Sequence, residues 1–409
     1  MSHSAPSSAT TGDRFIGATG QLYTLDTLLG RGGEGATFTL RKQPDRIAKL
    51  YHQAPDIQHR EKLQVLSALT APALRKVAAL PDDVLVDKRG ALAGFVMPRV
   101  IDAKSLHMLI TPQDRLQHFP HFAYKHLVQV AANVARAIAA AHEAGIVVAD
   151  VNTSNILVRP DGTVRLIDCD SVQIGDGRRH RCAVAMEEFL APELHGKTLA
   201  KRPRSETQDS FALAVIILQL LLLGRHPHSG TGLTVPDAIR ARRHLLERRR
   251  TGPPLSELIG FAPEFVLSRD IIAAARTAFE VRWRTSQRPG PHDWIDLLDG
   301  LQGELVQCPR NLQHQHRRRA KSCPWCQIDQ QMGVALFQDT PVPAGQMQLP
   351  SGARKSRLTA VRMMSAIRQA CGTIGRVADI ALPRLIRFYD RHPRISWAIG
   401  AWLAWRLLR

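Results

Sequence analysis

The feature that most constrains the fold of this chain is a pair of short apolar segments bordered by acidic and amide side chains. Residues 150–158 read DVNTSNILV, and residues 166–168 read LID. A Pro-Asp-Gly turn between them predicts a β-hairpin. Phosphoryl transfer needs a carboxylate that orients a hydroxyl, and an amide and a second carboxylate that hold Mg²⁺. Asp150, Asn155 and Asp168 supply these three groups.

A glycine-rich turn lies near the N-terminus. Residues 29–35 read LGRGGEG, which places Gly30, Gly32 and Gly35 between two predicted strands. Glycine lets the backbone approach a triphosphate closely and present N–H groups to it. The strand–turn–strand setting argues against a dinucleotide-binding fold, in which such a turn opens a helix.

Lys49 follows in an apolar strand of the same region. A buried lysine is costly unless it meets a phosphate or a carboxylate. Glu61, on a helix predicted at residues 56–69, offers that carboxylate. By itself Lys49 would be typical of an edge strand, but its place after the glycine-rich turn indicates a phosphate-binding lysine.

These motifs together resemble the eukaryotic-like protein kinase superfamily, over roughly residues 15–301. The resemblance implies an ATP- and Mg²⁺-dependent protein Ser/Thr kinase. It also implies an α+β, bilobal fold with a small β-rich N-lobe and a helical C-lobe. The implied catalytic residues are Asp150, Lys49 and Glu61; the implied ATP-binding residues are Gly30, Gly32, Gly35, Lys49, Asn155 and Asp168, with Asn155 and Asp168 holding Mg²⁺.

Further kinase features follow the hairpin. Residues 191–193 read APE, which matches the motif that closes the activation segment. The apolar run at residues 211–223 is too short to cross a bilayer and predicts a buried core helix. Asp209, which precedes it, matches the aspartate that anchors the catalytic loop from below. The resemblance implies an arginine partner for Glu193, and the candidates are Arg284 and its rivals Arg276, Arg282 and Arg288.

Three departures from the family pattern bear on regulation. Val148-Ala149 replaces the usual His-Arg, Asn152 replaces a lysine, and Cys169-Asp170 replaces Phe-Gly. The metal and base positions are kept, which favours a competent site. Residues 172–193 contain no Ser, Thr or Tyr. The sequence therefore predicts that phosphorylation of the activation segment does not switch this enzyme.

Other functions stay open from the sequence. The Asp-Asn and Asp-x-Asp pattern also resembles aminoglycoside and choline phosphotransferases, although those lack the Ala-Pro-Glu segment and the Asp-led apolar helix. The departures above also suit a catalytically weak nucleotide-binding scaffold (a pseudokinase). The basic runs at 240–250 and 317–321 leave a nucleic-acid-binding regulator as a further alternative, although a solvated surface is the commoner explanation.

A cysteine cluster follows the kinase-like region. Cys308, a histidine and the pair Cys323 and Cys326 have the spacing of a tetrahedral, structural Zn²⁺ site. The fourth ligand is His314, with His316 as the alternative. A kinase followed by such a module resembles the kinases of tellurite-resistance-associated triads, which implies a von Willebrand-type partner and a PP2C-like phosphatase.

The domain organisation follows from these motifs and from the charge, which is +19 at neutral pH. The basic excess suits ATP, nucleic acid or an anionic surface as a partner. No signal peptide is visible, so the sequence predicts a cytoplasmic protein, with a tail too short for a confident transmembrane helix but suited to docking or to a peripheral membrane contact. The predicted parts are a disordered leader (1–14), a kinase domain (15–305, with the lobe boundary near 100/101), a zinc-ribbon or knuckle-like module (306–327), a linker (328–357) and a basic helical tail (358–409).

Overall fold

The computed structural model describes residues 9–247, 266–280, 288–333 and 335–338. The chain divides into two compact units, Met1–Pro343 and Ala344–Arg409. The second unit lies outside the described residues. The predicted helical tail, most of the predicted linker and most of the predicted leader lie outside them as well.

The N-terminal part of the chain folds into a small antiparallel barrel of six strands. In chain order they are β1 (Arg14–Gly17), β2 (Leu22–Arg31), β3 (Gly35–Leu40), β4 (Gln43–Tyr51), β5 (Asp83–Val86) and β6 (Leu92–Pro98). The order around the barrel is β1-β2-β3-β4-β6-β5, and β5 pairs back onto β1. Four strands precede residue 52, where the sequence pattern predicts two or three. The tight turn at Arg41 and Lys42, with Lys42 at a φ of 66°, divides the predicted segment into β3 and β4.

Two helices, α1 (Ile57–Ala68) and α2 (Pro72–Val77), connect β4 to β5. The Asp56 carboxylate caps α1 by accepting a hydrogen bond from the His59 N–H at 2.8 Å. The helical repeat then determines which side chains face inward. The buried side chains of α1 are Lys62, Leu63 and Leu66.

The C-terminal lobe is mainly helical. Its helices are α3 (His107–Ile110), α4 (Pro112–His118), α5 (Tyr124–Glu143), α6 (Glu206–Leu221), α7 (Val235–Arg240), α8 (Arg269–Glu280) and α9 (Pro291–Glu304). α5 and α6 form the centre of the main hydrophobic core. α6 is buried on nearly all sides, as its uniformly apolar sequence predicts for a core helix.

Short strand pairs position the loops between these helices. The pairs use β7 (Lys104–Ser105), β8 (Ile146–Val147), β9 (Ile156–Val158), β10 (Val164–Leu166) and β11 (Gln173–Ile174). β9 and β10 form the hairpin that the sequence predicts, and β7 pairs with β9. Three short 3-10 helices follow β11, at Glu187–Phe189, Pro192–Leu194 and Leu199–Lys201.

The cysteine-containing segment packs directly on the helical lobe. It consists of the hairpin β12 (Leu305–Gln307) and β13 (Gln315–Arg317), followed by helix α10 (Pro324–Met332). Trp325 is fully buried, its ring centroid lies 4.6 Å from that of Tyr124, and its indole N–H donates to the Gln315 carbonyl. Aromatic contact and a satisfied indole N–H are typical of a stable core.

The linker prediction beginning at residue 328 is wrong at its start. α10 continues to Met332 and ends at Gly333, which has a left-handed φ of 64°. Phe337 is then fully buried, 5.5 Å from Trp325 between ring centroids, and it lies 4.6 Å from the Arg115 guanidinium. These apolar and cation–π contacts hold the chain against the kinase-like part through residue 338. Among the described helices, none has the length and apolar character needed to cross a bilayer.

Candidate active site and metal centre

A cleft of about 590 Å³ lies beneath the turn between β2 and β3. Gly32, Gly33 and Gly35 line its upper side, and Lys49 lies on its wall. Asn155 and Asp168 line its lower side. Gly30, which lies in β2 and pairs with Thr37, does not line the cleft. The structure thus brings most of the predicted nucleotide-binding residues to one cavity.

The glycines of the turn have different reasons to be glycine. A Cβ on Gly35 would lie 2.2 Å from the Leu50 carbonyl oxygen, so β3 and β4 can approach only without one. The Gly32 N–H donates to the Gly35 carbonyl at 2.8 Å, which closes the turn. Gly33 has open space around it. A turn of this kind leaves room for a large anionic group close to the backbone.

Lys49 meets carboxylates from the far side of the cleft. Its Nζ lies 2.6 Å from Asp168 Oδ1 and 2.9 Å from each oxygen of Asp170. Glu34 is more distant, at 3.6 Å. Burial alone would lower the pKa of Lys49, but the charges of Asp170 and Asp168 outweigh it and raise that pKa. The ammonium is therefore firmly charged.

Glu61, the predicted partner of Lys49, makes no hydrogen bond or ion pair with it; the acidic partners of Lys49 are Asp168, Asp170 and, more distantly, Glu34. α1 turns Lys62 inward instead, because Lys62 shares the buried face with its apolar neighbours. The Lys62 Nζ donates to the Val172 carbonyl at 2.8 Å. The expected Lys49–Glu61 pair is absent from the structure for this geometric reason.

The loop between β8 and β9, residues 148–155, corresponds to the catalytic loop of the resemblance and brings Asp150 and Asn155 into direct contact. The Asn155 Nδ2 donates to Asp150 Oδ2 at 3.0 Å. Asn152 stabilises the loop from within, because its side-chain oxygen accepts the backbone N–H groups of Ser154 and Asn155. The other oxygen of Asp150 accepts the Met186 N–H at 3.3 Å. The carboxylate is thus oriented by the loop and by the activation segment.

A buried carboxylate supports this loop from below, as the kinase resemblance implies. Asp209 accepts the backbone N–H groups of Val148 and Ala149, both at 2.8 Å. It also lies 3.0 Å from His142 Nε2. Ala149 has a left-handed φ of 65°, which is unfavourable for a residue with a Cβ. The two hydrogen bonds to Asp209 hold that conformation in place.

Two arginines connect the activation segment to the helical lobe. Arg288 forms the pair with Glu193, with Nη1 and Nη2 at 2.7 and 2.8 Å from the two carboxylate oxygens. It is therefore Arg288, among the four predicted candidates, that fills this position in the described chain; Arg282 and Arg284 lie outside the described residues. Arg204 donates to the carbonyls of Ala149 and Val184.

The cysteine cluster forms the second candidate site. The ligand atoms of Cys308, His314, Cys323 and Cys326 all lie within 4.8 Å of one another. The Sγ atoms of Cys308 and Cys326 are 3.6 Å apart, and His314 Nδ1 lies 3.4 Å from Cys326 Sγ. A tetrahedral Zn²⁺ with Zn–S bonds of about 2.3 Å would have ligand–ligand edges of about 3.7 Å. The donor set and its spacing therefore fit Zn²⁺.

Hydrogen-bond contacts outside the cysteine cluster distinguish the two candidate histidines, His314 and His316. The Nε2 of His314 lies 3.5 Å from Asp329, as in metal sites where a carboxylate orients the ligating ring. His316 lies in β13 with its Nδ1 at 3.1 Å from the Arg317 carbonyl. The hydrogen bond between Cys323 and Cys326 lowers the pKa of Cys326 and raises the pKa of Cys323, so the first thiolate of the cluster forms at Cys326.

Residues 81–258 match the family model described as a protein kinase domain. The match covers 178 of the 409 residues. Mixed α and β content in two lobes is the architecture that this domain implies, and the barrel and helical lobe described above agree with it.

Curated relatives of the chain come from several bacteria. The chain is 35% identical over 336 residues to "Protein kinase YegI" of Escherichia coli strain K12, covering 79% of this chain and 51% of that protein. It is 27% identical over 252 residues to "Serine/threonine-protein kinase PkaB" of Streptomyces coelicolor, covering 56% and 54% respectively. It is 23% identical over 245 residues to "Serine/threonine-protein kinase PknA" of Mycobacterium tuberculosis H37Rv, covering 57% and 53%. The chain spans about half the length of the curated relatives it matches.

The basic runs at 240–250 and 317–321 are partly engaged in ion pairs within the chain. Arg317 pairs with Glu304 at 2.9 Å, and Arg243 pairs with Glu247 at 2.8 Å. Arg318 and Arg319 are exposed. Residues 248–250 lie outside the described residues. Internal pairing of this kind reduces the positive charge that a nucleic acid would meet.

Three residues around the cleft are not predicted as site residues from the sequence. They are Asp170, which contacts Lys49, Lys62, which reaches the activation segment, and Arg204, which contacts the catalytic loop. A signal for Asp170 was present in the Asp-Cys-Asp pattern, since a second acidic residue replaces a glycine there. For Lys62 the signal was its helical spacing with Leu63 and Leu66.

Proposed function

We propose that this chain is an ATP- and Mg²⁺-dependent protein Ser/Thr kinase that acts in bacterial signalling or stress response. The observation that carries the proposal is the convergence of Lys49, Asn155 and Asp168 on one cleft beneath the glycine-rich turn, with Asp150 hydrogen-bonded to Asn155. A surface turn cap would explain any one of these residues. It would not explain why residues more than a hundred positions apart meet in one cavity.

The residues of the cleft fit a nucleotide and Mg²⁺. Asn155 and Asp168 offer an amide oxygen and a carboxylate, which are hard ligands of the kind Mg²⁺ prefers. Bound Mg²⁺ would neutralise phosphate charge that develops during the transfer. Lys49 would hold the phosphates by charge, and the N–H groups of the turn at residues 32–35 would face them.

Asp150 is the proposed base. Its carboxylate is fixed by Asn155 and by the Met186 N–H. In this position it can accept a hydrogen bond from the hydroxyl of a Ser or Thr side chain. It would take the hydroxyl proton as the hydroxyl oxygen bonds to the γ-phosphorus and the bond from that phosphorus to ADP breaks, so that ADP leaves. The Ser/Thr acceptor is supported by the names of the relatives from Streptomyces and Mycobacterium.

Transfer of labelled γ-phosphate from ATP to the chain itself and to a generic acceptor protein tests this function. The wild-type chain should incorporate label, and Asp150→Asn and Asp168→Ala should reduce incorporation by about a hundredfold or more. Label on small hydroxylated molecules and not on protein would favour the small-molecule phosphotransferase. If neither wild type nor variants incorporate label but nucleotide binds in a Lys49-dependent way, the scaffold function is correct.

The partners of the kinase follow from the resemblance to the triads. The proposed substrate is a von Willebrand-type protein, and a PP2C-like phosphatase would reverse the reaction in the cytoplasm. Incubating the three purified proteins with labelled ATP should label the von Willebrand-type protein, and the phosphatase should remove that label. Binding of the chain to DNA with steep salt dependence would instead support a nucleic-acid-binding regulator.

The cysteine cluster supports a second property, structural Zn²⁺ binding by Cys308, His314, Cys323 and Cys326. The donor set and the edges near 3.5 Å carry it. The purified chain should contain one zinc per molecule by elemental analysis. His314→Ala should lose the metal, whereas the matched variant His316→Ala should retain it. The reverse pattern would assign the site to His316.

A further inference from the structure

Asp170 is a buried acidic residue that the proposed mechanism does not use. It follows Asp168 by two positions, and its side chain is 1% exposed, compared with 34% for Asp168. A buried carboxylate without compensation is strongly unfavourable. Its contacts should therefore show what it does.

Both oxygens of Asp170 are directed at one cation. Each lies 2.9 Å from the Lys49 Nζ, and Oδ2 also accepts the Tyr51 hydroxyl at 2.7 Å. The Tyr51 hydroxyl in turn lies 2.7 Å from His59 Nε2 on α1. Asp170 is thus oriented by a hydroxyl and presents a bidentate face to the lysine, which is a strong, charge-assisted arrangement.

The charged side chain that α1 turns toward the interior is a lysine, Lys62, and not the expected carboxylate of Glu61. Lys62 is 4% exposed, and its Nζ donates to the carbonyls of Val172 and Arg181 at 2.8 and 3.4 Å. The helix therefore binds the activation segment with a cation. The carboxylates that pair with Lys49 are those of Asp168 and Asp170, which directly precede the activation segment, and not that of Glu61.

The two carboxylates beside Lys49 have different surroundings. Asp168 lines the cleft, where it can turn to a metal ion. Asp170 does not line the cleft and already accepts from Lys49 and Tyr51. When Asp168 engages a metal, Asp170 is the buried partner that keeps the Lys49 ammonium in position. Glu34 lies farther away and is largely exposed.

We propose that Asp170 is a positioning residue that holds Lys49 toward the phosphates of a nucleoside triphosphate, in place of a carboxylate from helix α1. This inference rests on the proposed function in that the ligand of the cleft is a nucleotide. It assigns to Asp170 no contact with the nucleotide or with Mg²⁺. Replacing Asp170 should therefore change nucleotide affinity differently from replacing a metal ligand or replacing a carboxylate that has no role at the site (a bystander).

The test is binding of the fluorescent nucleotide TNP-ATP, with competition by ATP, in EDTA and then in increasing Mg²⁺. A carboxylate near the phosphates repels them, so removing a bystander charge would tighten binding without Mg²⁺. Asp170→Asn should instead weaken binding in EDTA by about tenfold, because Lys49 loses its charge-assisted partner. In a Lys49→Ala background the same change should produce no further weakening, since the effect passes through Lys49.

Matched variants complete the design. Asp176→Asn removes an exposed carboxylate of the same segment and should leave the affinity within about twofold. Tyr51→Phe removes only the hydroxyl that orients Asp170 and should weaken binding by about threefold. It keeps the test valid if Asp170→Asn fails to fold, which cooperative thermal unfolding of each variant will show. Glu61→Gln should behave like Asp176→Asn.

Several outcomes would overturn the inference. Unchanged or tighter binding of Asp170→Asn in EDTA would make Asp170 a bystander. A loss confined to the Mg²⁺ dependence would make it a metal ligand. Additive losses in the Lys49→Ala background would indicate a general structural defect. Phosphate transfer by the wild type is measured separately, so a failure of the kinase proposal and a failure of this inference are distinguishable.

Discussion

Two buried aspartates near the cleft are held in different ways. Asp209 accepts two backbone N–H groups of the catalytic loop, whereas Asp170 accepts from the side chains of Lys49 and Tyr51. Backbone donors remain wherever the chain makes the same turn. Side-chain donors depend on which residues the neighbouring strands and helix turn inward. The backbone hydrogen bonds of Asp209 therefore depend on the fold, whereas the contacts of Asp170 depend on the identity of the neighbouring side chains.

The comparison explains why one aspartate was predicted and the other was not. The position of Asp209 at the start of an apolar helix is a motif. Two of its partners, the N–H groups of Val148 and Ala149, belong to the backbone and do not depend on the side chains there, and His142 is its side-chain partner. Asp170 contacts Lys49 in a chain whose α1 presents Lys62, and not Glu61, to the interior. A single rotation of that helix by one residue separates the two possibilities.

The largest effect is expected from Asp209→Asn. The amide can accept only one of the two backbone hydrogen bonds, and its NH₂ group faces a donor, so the loop should lose about 3 kcal/mol of stabilisation. Urea unfolding should show that loss, and phosphate transfer should fall by about a hundredfold because Asp150 is no longer oriented. Near wild-type activity in a stable variant would show that the hydrogen bonds to Asp209 are not needed to orient Asp150.

A third carboxylate, Glu193, extends the comparison to an arginine partner. Arg288 binds both of its oxygens and also donates to the Ala278 and Thr207 carbonyls. Arg288→Lys keeps the charge and loses the planar fork. We expect the free energy of unfolding to fall by about 2–3 kcal/mol. A loss below about 1 kcal/mol would mean that side-chain carboxylate pairs matter less here than their geometry indicates.

A buried histidine provides a pH test of a backbone-held group. His226 Nε2 contacts the Glu188 carbonyl, its Nδ1 accepts the His228 N–H, and burial lowers its pKa to about 4. In the unfolded chain the pKa is about 6.5, so the unfolded state binds more protons between these values, and stability falls as the pH decreases through that window.

Between pH 7 and pH 5 this histidine should account for a loss of about 2 kcal/mol. The burial of His228 also lowers its pKa, so it contributes in the same direction and the wild type alone is not diagnostic. His226→Gln should lower the acid sensitivity of unfolding relative to the wild type. Identical pH profiles for the two proteins would show that His226 does not carry the effect.

The smallest effect is expected from Ala149→Gly. The left-handed backbone of Ala149 costs about 1–2 kcal/mol, and the greater freedom of glycine in the unfolded chain offsets about 0.5–1 kcal/mol of the relief. A net gain of up to about 1 kcal/mol should appear in thermal unfolding. Clear destabilisation would mean that the Ala149 methyl group contributes packing that the hydrogen bonds to Asp209 do not explain.

The sequence predicted the parts of the fold that local patterns determine. The β9–β10 hairpin, the core helix α6 and the region of α1 follow from turn residues and from periodicity. The choice of Arg288 as the partner of Glu193 could not be predicted, because four arginines lie at similar distances along the chain. The contact of the cysteine segment with Tyr124 could not be predicted from the sequence either, because it depends on packing between residues about two hundred positions apart.

The packing of Trp325 against Tyr124 links the cysteine segment to the first residue of α5. Trp325 immediately precedes Cys326, and α5 leads directly to the catalytic loop. Any ion that binds the folded cysteine cluster more tightly than the unfolded chain stabilises both parts by mass action, by about 2.7 kcal/mol at a hundredfold excess over its dissociation constant. The supply of such a metal would then set how much of the protein survives heat or proteolysis, independently of the supply of nucleotide.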